Sequence, residues 1–180
     1  METKLAELAT ALRIKNQADS AIATIVGRPC ERGHVGEYIA SIIFDIDLET
    51  RANVKAIDGR FKRGALSGNT VNIKWFGKLE YILDICTQTP FPDYYLVLTG
   101  PESPPVSSRS HARPWTINYV FLFEHVSLVN FLTGKVKIGI ATSVIKMLWD
   151  AAEAYPKPNN PLLTLGEAQR GMLALFDVKY

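Results

Sequence analysis

The segment NTVNIKWFGK contains polar side chains at alternate positions in an otherwise apolar run. Asn72 and Lys74 are two residues apart, and they alternate with apolar residues such as Val71 and Ile73. Side chains two residues apart on a β-strand point to the same face of its sheet. The pattern therefore predicts a strand over about residues 70–76, with a lysine amine and an amide side chain on one face.

Two acidic residues earlier in the chain could reach this strand. Asp58 ends a predicted strand, residues 52–58, which could pair as a hairpin with the strand predicted over residues 70–76. Glu37 lies on a predicted amphipathic helix that leads into this hairpin and must pack on the sheet. Glu37 falls nearly opposite the apolar face of that helix, so an exposed position is the default interpretation. Otherwise Glu37 and Asp58 could converge with Asn72 and Lys74 at one sheet edge.

These residue types suit the hydrolysis of a phosphodiester bond. Mg²⁺ binds one or two carboxylates together with water and phosphate oxygens, and Asp58 and Glu37 could provide that pair. Asn72 could add its amide oxygen as an auxiliary metal ligand. A lysine beside the metal, here Lys74, could orient the attacking water and offset negative charge in the transition state.

The arrangement resembles the PD-(D/E)xK superfamily of restriction-endonuclease-like nucleases. That family has a helix and then three strands, with an acid at the end of the first strand or the start of the second, and (D/E)xK on the next strand. Asp58 would match the acid, Asn72-Ile73-Lys74 the second half of the motif, and Glu37 the glutamate that many members carry on the preceding helix. The resemblance covers roughly residues 35–100.

The resemblance implies a restriction-endonuclease-like α/β fold, a mixed β-sheet flanked by helices. It implies a DNA endonuclease that uses Mg²⁺, or Mn²⁺ in its place, with Lys74, Asp58 and Glu37 as catalytic residues. Many relatives are dimers, so a homodimer is also implied.

Two departures from the family pattern favour an alternative. Ile57 stands where the family has proline before the acid, and Asn72 replaces the acidic residue of (D/E)xK. An asparagine offers a carbonyl oxygen to a metal but brings no charge, so Glu37 would have to supply the missing carboxylate. The alternative is an inactive domain of the same fold that binds nucleic acid or protein.

The charge distribution suggests a polyanionic partner. The net charge is only +2, but two basic clusters stand out, around residues 51–63 and 109–113. Basic patches of this kind suit nucleic acid, although ordinary surface charge gives the same pattern. The residues expected to contact the DNA backbone are Arg60, Lys62, Arg63, Arg109 and Arg113.

Length and composition predict one domain in a reducing compartment. The chain has 180 residues, of which 47% are hydrophobic, enough for one buried core. No apolar run is long enough to span a membrane, and the N-terminus lacks the apolar segment of a secretory signal. Two cysteines without metal-ligand spacing fit the cytoplasm.

Periodicity predicts helices first, then strands, then alternating strands and helices. A single sheet with helices on both faces, an N-terminal helix and a C-terminal helical extension follow from this order. Besides the elements above, the predicted helices are 2–26, 35–46, 124–132, 143–154 and 164–176, and the predicted strands include 93–100, 116–123 and 135–141.

Overall fold

The computed structural model of the protein describes residues 2–49, 56–102 and 114–177. The described part contains helices and strands in mixed order, which confirms the predicted α/β class. The helices are α1 (Glu2–Val26), α2 (Arg32–Ile43), α3 (His125–Leu132), α4 (Lys146–Ala152) and α5 (Glu167–Ala174). The strands are β1 (Ile46–Leu48), β2 (Gly59–Phe61), β3 (Thr70–Phe76), β4 (Ile82–Leu83), β5 (Tyr94–Thr99), β6 (Tyr119–Glu124), β7 (Thr142–Ser143) and β8 (Glu153–Tyr155).

Six of these strands form a mixed sheet in the order β1-β2-β3-β5-β6-β8. The first three form an antiparallel meander, and β3 then pairs in parallel with β5. The remaining pairs, β5–β6 and β6–β8, are antiparallel. The strands β4 and β7 form a separate two-stranded ribbon in the described part of the chain, so the prediction of a single sheet is wrong in this detail.

Helices cover both faces of the six-stranded sheet, as the sequence predicts. Alternate residues of β3, β5 and β6 enter two separate apolar cores. One core contains Ile73 and Leu96 and is closed by α2 and α5. The other contains Tyr95 and Val97 and is closed by α3 and α4. The strand β5 lies between β3 and β6 and is buried almost throughout, which confirms the predicted central strand.

The helix α2 packs closely against β3. Gly36 lies in α2, and a Cβ atom added there would be 3.1 Å from Cβ of Trp75. The absence of a side chain at Gly36 therefore brings the helix close to the strand. Glu37, the next residue, is consequently held beside the sheet by a tightly packed turn of helix.

The helix α2 is shorter than predicted. It ends at Ile43, where the Phe44 N–H donates to the carbonyl of Ala40 and Asp45 takes a φ of 54°. This left-handed residue breaks the helix. The apolar Ile46, predicted as part of the helix, is instead buried at the start of β1.

The sequence suggests a turn at Asp58-Gly59, but the structure has none there. Gly59 begins β2 and pairs with Leu48 of β1. A Cβ atom on Gly59 would lie 2.5 Å from the carbonyl oxygen of Asp47, so glycine is required by the close approach of the two strands. Residues 52–55 of the predicted strand lie outside the described residues, and Asp58 precedes a strand rather than ending one.

The C-terminal half contains one wrong strand and two shortened helices. Residues 135–141, predicted as a strand, are irregular, with Gly139 at φ 152° and Ala141 at φ 54°. The helix predicted over 143–154 is α4, which is followed directly by β8. The last helix begins at Glu167 instead of at 164, because Gly166 occupies the N-cap position.

No helix in the described ranges is both long enough and apolar enough to cross a lipid bilayer. The longest helix, α1, is exposed over most of its length, with Leu5, Leu8 and Leu12 at its surface.

We predict that Gly59→Ala destabilises the protein by about 1–3 kcal/mol, because the new methyl group meets backbone of β1. Gly171→Ala is the matched control. It lies in α5 with no heavy atom within 4 Å of the added Cβ, and it should stabilise the fold by about 0.5–1 kcal/mol. Urea denaturation of both variants checks the prediction, and equal effects would contradict the close approach at Gly59.

Candidate active site at the edge of strand β3

The carboxylate of Asp58 accepts a hydrogen bond from the edge of β3 just beyond the residues that pair with β2. The Asp58 N–H donates to the carbonyl of Val71 at 2.9 Å, as a ladder residue would. Its side-chain Oδ2 then accepts the N–H of Ile73 at 2.6 Å. One residue therefore satisfies two successive polar groups of the strand edge. The carboxylate is fixed in the plane of the sheet, at the level of Ile73.

Asn72 and Lys74 flank this contact and point to the face opposite α2. Their partners across the sheet in β5 are Tyr95 and Val97, whose side chains belong to the core under α3 and α4. Asn72 is buried, whereas Lys74 is partly exposed. Among the described residues, Lys74 has no hydrogen-bond or ion-pair partner. Its amine is therefore available to a ligand.

Glu37 approaches the same edge from the other face of the sheet. Its side chain is 18% exposed, and its Oε2 pairs with Nη1 of Arg28 at 2.5 Å. Arg28 lies in the loop between α1 and α2, and 46% of its side chain is exposed. The default interpretation of a fully solvent-exposed Glu37 is therefore wrong, but the carboxylate is engaged by an arginine.

The electrostatics of Asp58 show that these groups influence one another. Burial raises the pKa of Asp58 above its usual 3.8, and the hydrogen bond from Ile73 opposes that rise. The negative charge of Glu37 raises this pKa further, whereas the positive charges of Lys74 and Arg28 lower it. The charge of Asp58 is therefore coupled to the charges of Glu37, Lys74 and Arg28.

The donor groups present fit a hard divalent cation. The Oδ1 atom of Asn72 is buried and has no hydrogen-bond partner among the described residues, so an acceptor is left unused on the strand that binds Asp58. Two carboxylates and an amide oxygen match the ligands that Mg²⁺ prefers. No cluster of three or more acidic, histidine or cysteine side chains with metal-binding geometry occurs within residues 2–49, 56–102 and 114–177. A metal here would depend on Asn72 and on water for its remaining ligands.

The predicted DNA-contacting residues differ in how free they are. Lys62 and Arg63 both form ion pairs with Asp45, at 3.0 and 2.8 Å, so part of their charge is neutralised. Arg60 is exposed, and its guanidinium donates to the carbonyl of Gly68 at 3.1 Å. The other two, Arg109 and Arg113, lie outside the described residues.

Sequence reasoning missed Arg28. It precedes a proline in a short loop, where an isolated basic residue normally suggests ordinary surface charge. The only available signal was its place between two helices, of which the second carries Glu37. Two consecutive helices joined by a short loop put that loop near the first turns of the second helix.

Comparison with known proteins assigns no family to the chain. No protein-family model matches it, and no curated protein matches it.

We predict that Asp58→Asn stabilises the protein near neutral pH by on the order of 1 kcal/mol. The folded state raises the pKa of Asp58 above 3.8, so ionisation of this group opposes folding. The cost appears as the pH rises above 3.8 and is complete above the folded pKa. The asparagine oxygen can still accept the N–H of Ile73.

Urea denaturation at about pH 3 and about pH 7 checks this prediction. The gain should be present only at the higher pH. Asp47→Asn is the control, since Asp47 is an exposed aspartate on β1. A loss of stability in Asp58→Asn at neutral pH would show that its charge supports the fold.

Proposed function

We propose that the protein is a Mg²⁺-dependent DNA endonuclease, a diverged relative of the PD-(D/E)xK nucleases. The observation that carries the proposal is the position of Asp58. Its carboxylate binds the backbone of Ile73, between Asn72 and Lys74, and it interacts electrostatically with Glu37. An acid fixed at this strand edge is therefore coupled electrostatically to a second acid, Glu37, and to the amine of Lys74.

The order of elements supports the proposal. A helix carrying Glu37 precedes three antiparallel strands, Asp58 stands immediately before the second strand, and Asn72-Ile73-Lys74 lies on the third. This is the order that the resemblance implies. The mixed sheet with helices on both faces is compatible with it, but many unrelated functions share such architectures.

Asp58 would hold the cation at the strand edge, and Glu37 from one face of the sheet and the Asn72 amide oxygen from the other would have to reach it there. When bound, Mg²⁺ would supply polarisation of the phosphoryl oxygen and acidification of a water molecule. The Ile73 N–H fixes the Asp58 carboxylate, which limits the reorganisation needed for binding. The Lys74 amine would donate to the attacking water or to a non-bridging phosphate oxygen. Arg28 would have to release Glu37, because one carboxylate oxygen already binds its guanidinium.

A second candidate function is binding without cleavage on the same scaffold. Two observations favour it. Asn72 brings no charge to the metal site, and the Arg28–Glu37 ion pair already neutralises the carboxylate that should replace the missing one. In that case the free amine of Lys74 would contact phosphate and no bond would be cut.

The proposal includes the partners and the compartment expected from the sequence. DNA would be contacted along its backbone by Arg60, Lys62 and Arg63, and a homodimer would cut both strands. The two described cysteines, Cys30 and Cys86, are free thiols, which agrees with action in the reducing cytoplasm.

Nicking of supercoiled plasmid with Mg²⁺ or Mn²⁺ tests the function. We expect Lys74→Ala and Asp58→Ala to lower the rate by about 10²-fold or more, since each removes a group at the reacting centre. Lys137→Ala is the matched control, because Lys137 is exposed in the irregular segment before β7. Nicking that survives both substitutions would refute the assignment. Salt-dependent DNA binding without nicking by the parent would favour the second candidate.

Arg60 should contribute most to DNA binding among the three described basic residues, because Lys62 and Arg63 are paired with Asp45. We predict that Arg60→Ala weakens binding equally for unrelated sequences and reduces the slope of log affinity against log salt by about 1. Arg13→Ala, on the exposed helix α1, is the control. Fluorescence anisotropy at several salt concentrations makes the measurement, and an unchanged slope would exclude Arg60 from the interface.

A further inference from the structure

A small cavity of about 70 Å³ lies away from the candidate active site, on the α4 side of the sheet. We call it the α4 cavity. Acidic and aromatic side chains provide most of its wall. The residues used below are Tyr81, Glu102, Tyr119, Lys146, Trp149 and Glu153. A buried water needs about 10–15 Å³ of such space, so the cavity has room for a group of a few non-hydrogen atoms.

Glu153 is a buried acid in this cavity with no ion-pair partner. It is 5% exposed, and its Oε1 accepts only the backbone N–H of Lys157, at 3.1 Å. Within the described ranges, no basic side chain lies within ion-pair distance of it. A largely buried carboxylate is stabilised by a nearby cation or by further hydrogen bonds. The cavity in front of Glu153 is where such a cation would bind.

Trp149 supplies a second unused polar group. It is 1% exposed, and its buried Nε1 has no hydrogen-bond partner in the described part of the chain. Its ring meets the ring of Tyr81 edge-on at 6.1 Å, and the Tyr81 hydroxyl donates to Glu102 at 2.5 Å. An unsatisfied indole N–H in a native structure calls for an acceptor. A ligand that carries an oxygen as well as a positive charge would satisfy both Trp149 and Glu153.

A cationic side chain of the protein, Lys146, already lies at this cavity. The Nζ atom of Lys146 lies 6.0 Å from the ring centroid of Tyr81 and pairs with Asp150. The pKa of Lys146 is raised, first by Asp150 and further by the charges of Glu102 and Glu153. Aromatic rings together with carboxylates are the surroundings that bind ammonium groups. Lys146 lies at the exposed side of this arrangement, with 61% of its side chain accessible.

We infer that the α4 cavity binds a small primary ammonium compound with a neighbouring hydroxyl or carbonyl oxygen. Its ammonium group would pair with Glu153 and contact the rings of Tyr81 and Tyr119. Its oxygen would accept the N–H of Trp149. The site is independent of the proposed nuclease centre, so either assignment can fail without the other.

Titration of ¹⁵N-labelled protein with ethanolammonium chloride tests the inference, with the indole resonance of Trp149 as the readout. We expect a saturable shift of this resonance, absent with NaCl at equal ionic strength. Ethylammonium, which lacks the oxygen, should bind more weakly and should leave the Trp149 resonance nearly unmoved. No saturable shift with ethanolammonium would overturn the proposal, and equal effects of the two amines would overturn the role of Trp149.

Two variants locate the binding. Glu153→Gln keeps an acceptor for the Lys157 N–H and removes the charge, so ethanolammonium should bind about tenfold more weakly. Glu7→Gln, on exposed α1, should bind like the parent. Lys146→Gln removes the competing ammonium from the surface and should tighten binding. Unchanged affinity in both cavity variants would overturn the site, and Lys146→Gln keeps the test valid if Glu153→Gln does not fold.

Discussion

The hydrogen bond from the Ile73 N–H to the Asp58 carboxylate determines the geometry of the candidate site. The strand β2 pairs with β3 only at Thr70 and Val71. The N–H of Ile73, the next one on this side of β3, therefore needs another acceptor. A side chain supplies it, and a charged group is thereby held at a strand edge with little conformational freedom. Gly59, the residue after Asp58, lacks a side chain and can therefore lie close to the backbone of β1.

The burial of Asp58 makes the site electrostatically costly despite this hydrogen bond. Burial and the neighbouring Glu37 both raise the pKa of Asp58, and the hydrogen bond from Ile73 together with the charges of Lys74 and Arg28 offsets this rise only in part. Charged groups whose positions destabilise the folded protein are common at binding and catalytic sites. Asn72 lessens this repulsion, because a third carboxylate at its position would add negative charge. An acidic residue at position 72 would therefore destabilise the metal-free protein and would strengthen the affinity expected for a metal.

The sequence predicts the central elements because their patterns are dominated by one physical signal. The alternation in β3 and the continuous apolar run of β5 define both strands nearly to the residue. Residues 135–141 carry the same alternation but are irregular, because Gly139 and Ala141 take positive φ values that a strand does not allow. Local pattern gives no information on such tertiary effects.

The sequence likewise predicts only the part of the candidate site that depends on local pattern. The shared face of Asn72 and Lys74 follows from the period of a strand, and the sequence predicts it. The position of Asp58 before β2, and the pairing of Glu37 with Arg28, depend on how α2 packs against the sheet. The close approach at Gly36, which sets that packing, has no local signature in the sequence.

A crystal soaked in MnCl₂ tests the central claim most directly, through the anomalous difference map at the manganese absorption edge. We expect a peak beside the carboxylate of Asp58, reached by Glu37 from one face of the sheet and by Oδ1 of Asn72 from the other, with the Arg28 guanidinium withdrawn from Glu37. An occupied Arg28–Glu37 ion pair with no anomalous peak beside Asp58 would contradict it.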